Sequence, residues 1–215
     1  MTEEHAPATP GEKVPLADGD AATYLEALLG DVAPAAEAAP DVGPTIKVEM
    51  VGPHLRVSGQ VRLGRFRRLS DVLNNQEGPL EIRDATVLYR NGNATRVVTP
   101  SLWVNLTEMT LMGQLEDAAR PVASPEFRIP KQPLPLIVVT PGHTLTGDVF
   151  ITVGAELSGF IESADPPFLP MTDVRTRSLA DRRITSRYFF ALLNRRHIVA
   201  ATQLLPGMVP TGRTL

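Results

Sequence analysis

The chain has 215 residues, 43% hydrophobic and 21% charged, and carries a net charge of −3. It contains no cysteine, which excludes disulfides, thiolate-ligated zinc, iron–sulfur clusters and thiol nucleophiles. No apolar run is long enough to cross a bilayer as a helix, and the opening MTEEHAPATPGEK lacks the basic and apolar regions of a secretory signal, so a cytoplasmic protein with no membrane insertion is expected.

Residues 1–44 hold nine Asp or Glu against the single Lys13, a net of −8, which leaves +5 for the remainder. This arm is rich in Ala, Pro and acidic residues and poor in β-branched and aromatic ones. It cannot bury enough apolar surface to offset the entropy of ordering, and a disordered acidic arm is expected. One amphipathic island lies near residues 20–30, where Asp20 can cap a helix and Gly30 can end it. Tyr24, Leu25, Leu28 and Leu29 then share one face. So short a helix needs a groove to lie in, either on the chain's own body or on a partner, and the expectation is that these four residues are partner-binding.

From residue 45 the pattern turns to period two, first in Leu55, Val57, Gly59, Val61 and Leu63. RLSDVLNN (68–75) reads as one helical turn that sends Leu69, Val72 and Leu73 inward, with Ser70 or Asp71 capping it and Asn74 or Asn75 ending it. Leu80 to Tyr89 is a strand, and Arg90-Asn91-Gly92-Asn93 is a hairpin signal. The returning strand runs from Ala94 to Thr99 and Leu102 to Leu106, bent at Pro100, and Met109 to Met112 closes the unit. Residues 113–135, with five prolines, read as a linker. A second unit follows over 136–206: a strand at Leu145 to Val153, a helical turn at Glu156 to Glu162, strands at Phe168 to Arg177 and Ile184 to Leu193, and a closing strand at His197 to Thr202. Residues 207–215 form a tail.

The two units align. At an offset of 88, Gly59 meets Gly147, Val61 meets Val149, Leu69-Ser70 meets Leu157-Ser158, and Leu80 meets Phe168. One residue is then gained, and at an offset of 89 Asp84 meets Asp173, Trp103-Val104-Asn105 meets Leu192-Leu193-Asn194, and Met109 meets Ile198. The expected fold is therefore mainly β: tandem duplicated small antiparallel β-barrel or sheet modules of SH3-like or LSm-like type, over 45–112 and 136–206, each with one short helical turn. The alternative is one continuous β-sandwich. RLSDVLN (68–74), the strand-borne Asp84-Ala85 and the closing ALLNRRHIV (191–199) resemble an uncharacterised bacterial family of small β domains with an RLSD-x-LN box. The resemblance implies a fold and a bacterial origin and no particular reaction. It is weaker in the second unit, where the box has become ELSG (156–159).

No residue pattern points to catalysis, a metal or a cofactor. His54, His143 and His197 lack metal-ligand spacing, and Asp71 has Gly159 as its counterpart, which favours a structural role. Two arginine groups form candidate anion sites: Arg65, Arg67 and Arg68 before the first helical turn, and Arg182, Arg183 and Arg187 along the second hairpin beside Tyr188, Phe189 and Phe190. The strand pattern sends most of these aromatics inward. The expectation is a non-enzymatic adaptor or scaffold that binds another protein or its own copies as a homo-oligomer. The alternative is a small nucleic-acid-binding or anion- or nucleotide-sensing module using the arginine faces.

Overall fold

The computed structural model describes residues 43–91, 93–115, 130–163 and 165–205, with backbone alone at 90, 91, 93 and 94. The readings made for the acidic arm, including Tyr24, Leu25, Leu28 and Leu29, for most of the linker and for the tail fall outside the described residues. All described residues belong to one compact unit.

Ten strands and two short helices follow one another: β1 (Thr45–Val51), β2 (Leu55–Arg62), α1 (Leu69–Asn75), β3 (Leu80–Asn91), β4 (Asn93–Val104), β5 (Leu111–Gln114), β6 (Lys131–Val139), β7 (His143–Thr152), α2 (Leu157–Glu162), β8 (Phe168–Ser178), β9 (Thr185–Asn194) and β10 (Ala200–Gln203). A single 3₁₀ turn precedes β5 at Leu106–Glu108, and another precedes β10 at Arg195–His197. The fold is mainly β, as the alternation of apolar residues requires. All ten strands join one open antiparallel sheet in the order β10-β6-β7-β8-β9-β5-β1-β2-β3-β4. The sequence reading expects a separate small barrel or sheet module in each half. In the structure the edge of β5 that would close such a module is occupied by β9, with Leu111 opposite Leu193, Met112 opposite Leu192 and Gly113 opposite Ala191.

The halves β1–β5 and β6–β10 share element order, strand order and register. Val51 pairs with Leu111 as Val139 pairs with Ala200, and Ala85 pairs with Thr99 as Val174 pairs with Tyr188. Both β2 and β7 carry a bulge, at Ser58/Gln60 and at Thr146/Asp148. The facing strand bends there through a left-handed aspartate, Asp84 with φ 48° and Asp173 with φ 50°. The bulge brings strand backbones so close that a Cβ on Gly59 would lie 2.6 Å from Arg83 O, and one on Gly147 2.9 Å from Thr172 O. Glycine is therefore required at both points. One detail of the alignment changes: Leu80 pairs with Val104 as Leu169 pairs with Leu193, so the counterpart of Leu80 is Leu169 and not Phe168. The extra residue lies in the loop between α2 and β8, outside the paired strands.

Two hydrophobic cores lie on opposite faces of the sheet. The first contains Val48, Met50, Val57, Ile82 and Met109, with Leu69, Val72 and Leu73 of α1 as its lid. The second contains Leu136, Val138, Leu145, Val149, Met171 and Val174. Strand side chains alternate between faces, so consecutive residues of β5 and β9 serve different cores: Met112 and Leu192 enter the first, Leu111 and Leu193 the second. The cap of α1 differs from the sequence reading. Arg68 occupies the cap position without a side-chain bond, and Ser70 and Asp71 lie inside the helix. Asn75 does end the turn by donating to Asp71 O at 2.8 Å, whereas the Asn74 side chain turns away from the helix to brace β8. Both ends of the stretch read as linker are strand. Pro133 and Pro135 fit in β6 because alternate residues there, Val139 and Pro135, turn their carbonyls outward to Val199 N and Leu204 N. The missing N–H of each proline therefore faces away from β7.

Candidate functional site

The halves meet along β5 and β9, and polar contacts lock that joint. The Tyr188 ring lies across Gly113, and its hydroxyl donates to Glu49 Oε2. Burial, and then the neighbouring Glu49 carboxylate, raise the Tyr188 pKa well above its ordinary value, so the hydroxyl keeps its proton. Arg56 Nη1 reaches Ser186 Oγ at 2.6 Å and Glu49 Oε2 at 3.3 Å. Nearby, burial and then the Arg56 cation hold His143 below the usual imidazole range. Its Nδ1 is buried without a hydrogen-bond partner among the described residues. Asn194, 2% exposed, donates from Nδ2 to Leu106 O at 3.1 Å and Met109 O at 2.9 Å while its Oδ1 accepts from Arg196 N. His197 adds Nε2 to Thr107 O at 2.8 Å. Asn74 completes the joint by accepting from Phe168 N and donating to Phe168 O.

Beside this joint lies a groove of about 690 Å³ whose walls come from both halves. Ile46, Leu63 and Leu69 form one wall, and Phe150, Pro170 and Phe190 the other. Arg67 and Arg68 stand exposed at the rim. Phe150 is 44% exposed, because it occupies the outward phase of β7 while Val149 and Ile151 on either side are buried. Such an apolar hollow with a few cationic groups can bury an apolar side chain and hold a carboxylate near it.

The two arginine groups occupy different places. Arg67 and Arg68 line the groove, and Arg65 stacks on Phe66 with its guanidinium carbon 5.0 Å from the ring centre. Arg182 and Arg183 lie exposed in the turn between β8 and β9, and Arg187 pairs with Asp173 at 3.6 Å. Of the aromatics beside them, Tyr188 is buried, Phe190 is partly buried against the first core, and Phe189 is 47% exposed. Sequence reasoning missed Ile46, Phe150 and Pro170. The available signal was a large apolar residue in the polar phase of an alternating strand, as at Phe150. Among the described residues no three of His, Asp and Glu gather closely enough to hold a metal ion, and no helix is long and apolar enough to cross a membrane. No family model matches the chain, and no curated protein or solved structure is significantly similar to it.

Proposed function

We propose that the chain is a non-enzymatic cytoplasmic adaptor, built from a duplicated β unit, that holds an apolar, acid-flanked segment of a protein partner in the groove between its halves. The exposed Phe150 in a concave apolar surface rimmed by Arg67 and Arg68 carries this reading. A phenylalanine left open in a hollow gains by burial against a partner, and two cations favour acidic residues beside the anchor. The matched bulges, left-handed aspartates and asparagine-capped turns support duplication. In this reading the Tyr24–Leu29 segment is a second recognition element of the same adaptor.

Panning a random peptide display library against the full chain tests the proposal. Enriched peptides should carry an aromatic or leucine anchor next to Asp or Glu, and they should be lost on Phe150→Ser and weakened on Arg67→Glu/Arg68→Glu. Equal recovery on the folded Phe150→Ser variant, or no enrichment over bare support, would overturn it.

A further inference from the structure

The outermost strands of the sheet, β10 and β4, are the counterparts of β5 and β9, which pair with each other inside the molecule. Each half thus leaves one edge unpaired among the described residues, and the internal joint shows how such edges fit. We infer that β10 of one copy pairs antiparallel with β4 of the next, repeating the β5–β9 joint between molecules. The counterpart register sets Ala200 opposite Val104, Ala201 opposite Trp103 and Thr202 opposite Leu102.

Four observations carry this. Trp103 is 66% exposed, whereas its counterpart Leu192 is fully buried in the joint; Val199 is 68% exposed, whereas its counterpart Thr110 is buried. A repeated joint would cover Trp103 and Val199, whereas Val98, also 68% exposed on β4, lies beyond its three residue pairs. Side-chain sizes also compensate: Leu192 faces Met112 inside, while the larger Trp103 would face the smaller Ala201. Ala201 packs on the second core, so an incoming Trp103 would extend that core as Leu192 extends the first.

The third observation concerns the asparagines. Asn105 accepts from Thr107 N through Oδ1, as Asn194 accepts from Arg196 N. The Nδ2 of Asn194 is spent on Leu106 O and Met109 O across the joint. Asn105 is exposed, with no partner for Nδ2 among the described residues. The counterpart acceptors are Arg195 O and Ile198 O of the next copy. The fourth is charge: His197 reaches toward Thr107 inside, and the matching positions outside are the exposed Glu108 and Arg196, which carry opposite charges.

The outer joint lacks counterparts of the Tyr188–Glu49 and Arg56–Ser186 contacts, since Thr99, Ile137, Thr144 and Val97 stand at those positions. It is therefore the weaker of the two and concentration-dependent. Because its two surfaces differ, it is heterologous and propagates to a ring or a filament rather than stopping at a dimer.

Trp103 is the chain's single tryptophan and reports the joint directly. With rising concentration of the full chain, light-scattering mass should climb above 23.3 kDa. Tryptophan emission should shift to shorter wavelength with the same midpoint. Trp103→Glu, an exposed change that leaves the far-ultraviolet circular dichroism intact, should remain monomeric. The absence of cysteine permits a covalent test. Val104 and Ala200 would form a non-hydrogen-bonded pair, the closely spaced kind. Val104→Cys/Ala200→Cys should therefore oxidise to a ladder of oligomers, and an equimolar mixture of the two single variants should stop at a dimer. A monomeric mass at all concentrations with no ladder, or equal assembly of wild type and Trp103→Glu, would overturn the inference.

Discussion

Replacing Gly113 by alanine places a methyl group where the Tyr188 ring already lies. The new Cβ would be 2.2 Å from Cδ1, 2.4 Å from Cε1 and 2.5 Å from Cγ. Carbon atoms rest at about 3.5 Å or more, so ring and strand must part by about 1.3 Å. The ring cannot swing away, because Tyr188 is 2% exposed and its hydroxyl is tied to Glu49. The strand must move instead, and only three residue pairs join β5 to β9. Overpacking of this kind costs about 1–3 kcal/mol, and one or two strained ladder bonds add about 1 kcal/mol each. The sum is about 3 kcal/mol, which for a domain of this size lowers Tm by roughly 6–12 °C. Urea unfolding of Gly113→Ala, Tyr188→Ala and the double variant, followed by circular dichroism at fixed protein concentration, measures it. Removing the ring makes room for the methyl group, so the double variant should be more stable than the sum of the single losses predicts, by at least 1 kcal/mol. Strict additivity would show that the ring and the glycine do not oppose each other, and would refute the argument.

Asn194→Ala should cost about 3 kcal/mol by urea unfolding, since it removes a turn cap and leaves the carbonyl of Met109 without its donor while Leu106 O keeps only the Met109 N–H, whereas Asn105→Ala should cost only the cap, about 1 kcal/mol. The His143 pKa is depressed below 6.5 in the folded chain. The unfolded chain therefore takes up the proton first as pH falls, and stability drops from about pH 6.5 downward through the folded value, with no contribution above it. His143→Leu removes that loss together with a buried unpaired nitrogen, so its advantage over wild type should widen between about pH 7 and pH 5; parallel stability curves would contradict this. Gly59→Ala and Gly147→Ala should each cost more than about 2 kcal/mol in thermal unfolding, with the larger loss at Gly59, where the carbonyl approaches more closely.

Where the sequence alternates cleanly, the strands were legible: β2, β3 and β7 show one apolar face over most of their length, and α1 shows the helical spacing of Leu69, Val72 and Leu73. Two strands carry no such clear signal. In β1 the apolar phase of Ile46, Val48 and Met50 follows directly on the acidic, proline-rich arm. In β6 the buried phase of Leu134, Leu136 and Val138 is interleaved with two prolines, which in isolation signal a linker. The union of both halves in one sheet had no local signal at all. It depends on β5 meeting β9 across nearly eighty positions of chain, and nothing in either segment names the other. The groove inherits that difficulty: Arg67 and Arg68 were recognisable as cations, but the surface they border exists only after the halves have joined.

The alternation of β5 between two cores has a consequence for how such a chain can change. Substitution at Leu111 or Met112 disturbs one core and spares the other. Insertion or deletion of one residue in β5 would exchange the two, sending each side chain to the wrong face and shifting its register against β1 and β9 together. A substitution in this four-residue strand is thus felt on one face, whereas a change in its length is felt on both. The one difference in length between the halves falls where no such penalty applies, in the loop leading into β8.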